Sequence, residues 1–106
     1  MAQPLIRMPS HAKPGEVIEI RALFAHPMET GFRLDATGNK IPRDIVNRFE
    51  CRYDGEPVFR ADLYPAIAAN PYIVFHTVAV QTGELIFEWR DDSGKLARAA
   101  VKLTVA

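Results

Sequence analysis

The stretch Phe49-Glu-Cys-Arg-Tyr-Asp-Gly-Glu-Pro-Val-Phe-Arg-Ala-Asp-Leu63 consists of two alternating runs joined by a tight turn. Phe49, Cys51 and Tyr53 fall on one face of the first run, with Arg48, Glu50 and Arg52 on the other. A period of two is the mark of a half-buried strand. Asp54-Gly55 is a strong hairpin signal, because the turns that fit twisted strands need residues that tolerate positive φ. On the return, Phe59, Ala61 and Leu63 alternate with Arg60 and Asp62, and Pro57 delays the start of pairing. The pair is an antiparallel hairpin with one apolar face.

The same alternation recurs on both sides. Upstream, Ile18, Ile20, Ala22 and Phe24 share a face against Glu19 and Arg21, and His26-Pro27 ends that strand because proline removes a ladder donor. Residues 5–8 make a short first strand cut off by Pro9. Downstream, Ile73, Phe75 and Thr77 alternate with Val74 and His76. Leu85, Phe87 and Trp89 alternate with Ile86, Glu88 and Arg90. Asp91-Asp92-Ser93-Gly94 turns the chain into a last strand with Ala99, Val101, Leu103 and Val105 inward. Between the strand ending at Leu63 and the one starting at Ile73 a crossover runs from Tyr64-Pro65 to Asn70-Pro71, with a helical turn expected over 66–69. About seven short strands separated by turn signals predict an immunoglobulin-like antiparallel β-sandwich forming a single domain over residues 1–106.

The connection from His26 to Lys40 is longer than two neighbouring strands need, and such loops in compact domains are usually functional. Pro42 suits a first helical position, which predicts one helical turn over 43–47. The bland alternative is a surface loop without a role. Against it, Met28, Phe32, Leu34 and Ile41 are costly to expose, and grouped apolar exposure marks interfaces. Interfaces favour aromatics, Met and Arg, so Met28, Phe32, Arg33 and Arg43 are expected to face a partner, with Tyr72 as a second contact.

Thirteen basic and thirteen acidic residues cancel, which argues against partners held by bulk charge, such as nucleic acid or anionic membranes. The first nine residues carry no basic start followed by an apolar run, so the sequence by itself predicts a cytoplasmic protein. With one cysteine there is no internal disulfide. Strand alternation places Cys51 between Phe49 and Tyr53 on the apolar side, away from Arg48 and Arg52, where a free thiol behaves as a small hydrophobe. A sulfur-transferring enzyme acting through Cys51 would need that thiol reachable and partly ionised. Met8, His11, His26, Met28 and His76 raise a second reading, a copper-binding sandwich, since sulfur and imidazole select copper. Every Met precedes Cys51, though, and the spacing lacks a late ligand cluster. Asp91 and Asp92 are expected to be solvated turn residues rather than an acid/base pair.

Three stretches carry a family resemblance in combination: 26–51, from His26-Pro-Met-Glu-Thr-Gly31 to Asn47-Arg-Phe-Glu-Cys51; 65–72, Pro-Ala-Ile-Ala-Ala-Asn-Pro-Tyr; and 83–94, from Gly83 to the Trp89-Arg-Asp-Asp-Ser-Gly94 turn. They resemble the SoxZ family. The resemblance implies a non-catalytic, cofactor-free subunit of a periplasmic carrier in thiosulfate oxidation, paired with SoxY, whose C-terminal cysteine holds sulfur intermediates. It implies transient contact with other Sox enzymes, and export attached to SoxY without a signal of its own, in place of the cytoplasmic expectation. The chain ends Leu-Thr-Val-Ala on a strand, without a glycine-flanked cysteine arm, so it matches the Z subunit and no sulfur-carrying residue transfers to it.

Overall fold

The computed structural model describes residues 4–26, 28–64 and 71–106. Among the described residues eight strands build two facing sheets: β1 (Leu5–Arg7), β2 (His11–Ala12), β3 (Val17–Leu23), β4 (Val46–Tyr53), β5 (Glu56–Asp62), β6 (Tyr72–Val78), β7 (Gly83–Asp91) and β8 (Leu96–Val105). One sheet has the order β1-β3-β6 and the other β2-β8-β7-β4-β5. The immunoglobulin-like sandwich expected from the strand pattern is what forms. The predicted helical turn over 66–69 lies outside the described residues.

Each predicted inward face is inward. Ile18, Ile20, Ala22, Phe49, Cys51, Tyr53, Phe75, Leu85, Phe87, Trp89 and Leu103 are buried. The aromatic side chains knit the layers together. Phe24 stacks on Trp89 with ring centroids 5.4 Å apart, and Phe75 stacks on Phe59 at 4.5 Å and meets Phe49 edge-on at 5.9 Å. Such pairs contribute about 0.5–1.5 kcal/mol each beyond the area they bury.

The β4–β5 hairpin turns at Asp54 and Gly55, both at positive φ (49° and 82°). The register slips after Cys51, so that Val58 is passed over and Arg52 lies opposite Pro57. Tyr53 fastens this end. Its hydroxyl accepts from the amides of Val80 and Gln81 at 3.2 and 3.1 Å and donates to the Gln81 carbonyl.

Two features differ from the sequence-based expectation. After Pro9 the chain does not end its strand contacts but changes sheets: β1 pairs with β3, and β2 then lies parallel to β8, with Thr104 N–H bonded to Ser10 O at 2.9 Å. The helical turn at 43–47 does not form. The Asp44 amide and carbonyl are spent on Glu29, each bond 2.8 Å, and Ile45 engages Asp92, so no groups are left for an i→i+4 ladder before β4 begins at Val46.

Candidate docking end of the sandwich

Register brings the ends of β3, β5 and β7 and the beginnings of β4 and β6 to one end of the molecule: Leu23 lies opposite Tyr72, Val46 opposite Asp91, and Arg48 opposite Asp62. The long connection sits on this end as a two-limbed excursion. Its limbs are tied by Glu29 with Asp44, Ile41 N–H with Arg33 O at 2.9 Å, and Asp35 N–H with Asn39 O at 2.8 Å. At the tip the Asp35 carboxylate accepts from the Thr37 hydroxyl, the Asn39 amide and the Thr37 amide, which hold its pKa below the usual range. Gly31 makes the limbs' close approach possible: it has φ 87°, and a Cβ there would lie 3.0 Å from Arg43 Cβ. The result is a built surface element rather than a slack loop.

The base of the excursion is clamped by the β7–β8 turn. Asp92 receives the Arg43 guanidinium at 2.7 and 2.9 Å, the Ile45 amide at 3.1 Å and Asn47 Nδ2 at 2.9 Å. Burial raises the Asp92 pKa, but the bonds from Asn47 and Arg43 outweigh it, so the net shift is downward. Asp91 is buried. Its desolvation is likewise overcome by Ser93 Oγ at 2.6 Å and the Lys95 amide at 3.0 Å, and its pKa is lowered. These two aspartates are not the solvated turn residues the sequence suggested. They are the anchors of the docking end, and the sequence signal for them was weak because turn aspartates are ordinarily exposed.

His26 is buried beside them, its Nε2 3.5 Å from Asp91 Oδ2 and 4.0 Å from Asp44 Oδ1. Among the described residues, this is the group of three His, Cys or carboxylate side chains close enough to share a cation. The Met28 amide donates to His26 Nδ1 at 2.9 Å, which leaves the ring proton on Nε2, aimed at the carboxylates. A metal at Nε2 would need that proton moved to Nδ1, against an N–H. Asp91 Oδ2 faces that proton, whereas Asp44 Oδ1 is buried without a hydrogen-bond partner among the described residues. Of the copper reading, Met28 adjoins His26, while the other two histidines lie apart: His11 is exposed on β2, bonded to Ser10 Oγ, and His76 is on the outer face of β6, 3.5 Å from Glu19.

The expected partner-facing residues separate into three groups. Phe32 and Arg33 stand on the excursion, Phe32 being 76% exposed and Arg33 paired with Glu29 at 2.5 Å. Arg43 is exposed, but its fork is taken by Asp92. Met28 is not at the surface. It is 4% exposed, with its Sδ accepting from the Val46 amide at 3.1 Å, and it belongs to the core that the excursion closes over. Tyr72 is 56% exposed at the start of β6. Around them Leu34, already counted among the loop residues costly to expose, is exposed, as are Leu5, Tyr64 and Leu96, which sequence reasoning did not gather.

Cys51 lies in the middle of β4, fully buried, and burial pushes its thiol up to about 12. A thiolate there is out of reach near neutral pH.

The chain matches the family described as Sulphur oxidation protein SoxZ over residues 6–102. It belongs to that family. Among solved structures, this SoxZ-family chain has the fold of a superoxide reductase (neelaredoxin) from Ignicoccus hospitalis, with TM-score 0.75 and 19% identity over 98% of this chain and 80% of that one. It is similar to the sulfur carrier protein SoxY from Chlorobium limicola f thiosulfatophilum, with TM-score 0.71 and 16% identity over 100% and 81% of the two chains. A putative superoxide reductase from Thermotoga maritima gives 0.73 and 17% over 97% and 85%. At these identities the likeness is one of fold. No curated protein sequence matches the chain.

Proposed function

We propose that this SoxZ-family chain is the non-catalytic subunit of a heterodimeric periplasmic sulfur carrier, and that it supports a SoxY-type subunit whose cysteine bears the sulfur. The observation that carries this reading is the state of Cys51. A carrier thiol must be reachable and ionisable. The one thiol of this sequence is neither, which supports a sulfur-bearing group supplied by a partner subunit. The docking end supports the same reading, because Phe32, Leu34, Tyr64, Tyr72 and Leu96 are exposed there on a rigidly clamped frame. A pre-ordered frame binds without a large ordering cost.

The test is to mix the chain with a SoxY-type subunit encoded beside it and to measure the mass of the eluting species. A one-to-one complex that survives dilution is expected, with Phe32→Ala weakening it. A wild-type chain that stays alone under these conditions would overturn the proposal.

A further inference from the structure

β6 is an edge strand: it pairs with β3 on one side and, among the described residues, has no strand neighbour on the other. Its bonding phase can be read from its two ends. The Phe24 amide bonds Pro71 O, the Ala79 amide bonds Glu16 O, and Ala79 O accepts from Gly15. Odd-numbered residues therefore point their backbone groups at β3. The amides and carbonyls of Tyr72, Val74, His76 and Val78 point the other way, along the open edge. The usual protections of an edge are missing here: no proline, lysine or bulge interrupts Tyr72–Val78. Beyond the edge, a groove of about 740 Å³ opens between the sheets, lined among others by Val58 of β5 and by Val78 and Val80.

The packing under β6 decides what can lie there. Phe75 sits over both Phe49 of β4 and Phe59 of β5, so β6 lies above the seam between those strands, and β5 reaches past it by about half the ~4.8 Å strand spacing. In an antiparallel β6–β6 pair of two copies, each β5 would enter the space of the other. A sandwich of this shape cannot pair antiparallel edge to edge. A single extended segment can. It would take the four rungs, set its alternate side chains over Val58 and the half-buried Phe59, and fill the groove.

We infer that the β6 edge receives an extended arm of the partner subunit as an added strand, with small or apolar side chains on its inward positions. The inference rests on the heterodimeric reading above and goes beyond it by giving that partner a backbone-paired site along β6, contiguous with the docking end through Tyr72.

Amide exchange on the free chain and on its complex with the SoxY-type subunit tests this. The amides of Ile73, Phe75 and Thr77 are expected to be protected in both states. Those of Val74, His76 and Val78 are expected to exchange freely in the chain alone and to slow at least tenfold in the complex. Val74→Pro, which deletes an outward N–H, is expected to weaken association at least tenfold, while Val74→Thr stays within twofold. A complex that forms with Val74, His76 and Val78 unprotected overturns the added-strand site and leaves the carrier reading standing. Absence of any complex with the wild-type chain overturns both. Protection of these amides in the chain alone, with a mass of two chains, assigns the edge to a second copy and also overturns the inference.

Discussion

The two sheets present opposite kinds of outer surface from the same period-two sequence pattern. On the five-stranded sheet the outward positions are charged and interleaved. Glu50 is met by Arg48, Arg52 and Arg60, at 3.8, 2.5 and 3.1 Å, and Glu88 lies opposite Arg98. On the three-stranded sheet Leu5, Val17, Tyr72, Val74 and Val78 are exposed around a single Glu19–Arg21 pair with His76 beside it. Charge on a broad sheet keeps water as the preferred neighbour, whereas valine and tyrosine beside an unpaired edge do not. The difference teaches that the same alternation leaves one sheet with a charged outer face and the other with an apolar one, as the proposed partner would require.

That contrast presumes a shared core, and the largest effect tests it. Phe75→Ala should cost about 3–5 kcal/mol in denaturant unfolding, because it removes the ring that joins β6 to β4 and β5. A much smaller loss would mean that the three-stranded sheet is held by its edges rather than by its inner face. Next, Asp92→Ala should cost roughly 1–3 kcal/mol by stranding the Ile45 amide and Asn47, with faster proteolysis of the excursion. Unchanged proteolysis would show that the docking end is not clamped from β7–β8.

Cys51 sharpens the contrast between interior and surface. Its folded pKa lies near 12, above its unfolded value, so the unfolded chain releases the proton first. The contribution is complete below about pH 9 and is lost as pH rises toward 12, at up to ~1.4 kcal/mol per pH unit. Unfolding against pH should show this slope in the wild type and lose it in Cys51→Ala. A thiol reagent should fail to label the native chain at pH 8. The smallest effects belong to the outer faces. Glu50→Gln should lower the melting temperature slightly, and the shift should vanish near 1 M salt, where screening is complete within about 3 Å. A salt-independent loss would give the charged lattice a structural role beyond solvation.

The strands were legible because burial on one face forces a period of two, as at Ile18, Ile20 and Ala22 or Leu85, Phe87 and Trp89. The inert position of Cys51 followed from the same rule. The docking end was legible only in part. Phe32 could be recognised as an apolar residue in a polar excursion, but Met28 could not be told apart from it, since a loop has no period to say which way a side chain turns. Asp91 and Asp92 were hidden for a different reason. Their partners, His26, Arg43, Ile45 and Asn47, come from far earlier in the chain, and nothing local marks a turn aspartate as an anchor. β2 was missed because two residues are too few to show alternation.

The parallel seam of β2 against β8 has a consequence in time. His11 finds its place only beside Thr104, almost the whole length of the chain away. The five-stranded sheet therefore cannot be completed until β8 is available, and pairings this distant in sequence close slowly. Until then the outer edge of β8 stays open, and unpaired strand edges are what make a partly folded chain prone to aggregate.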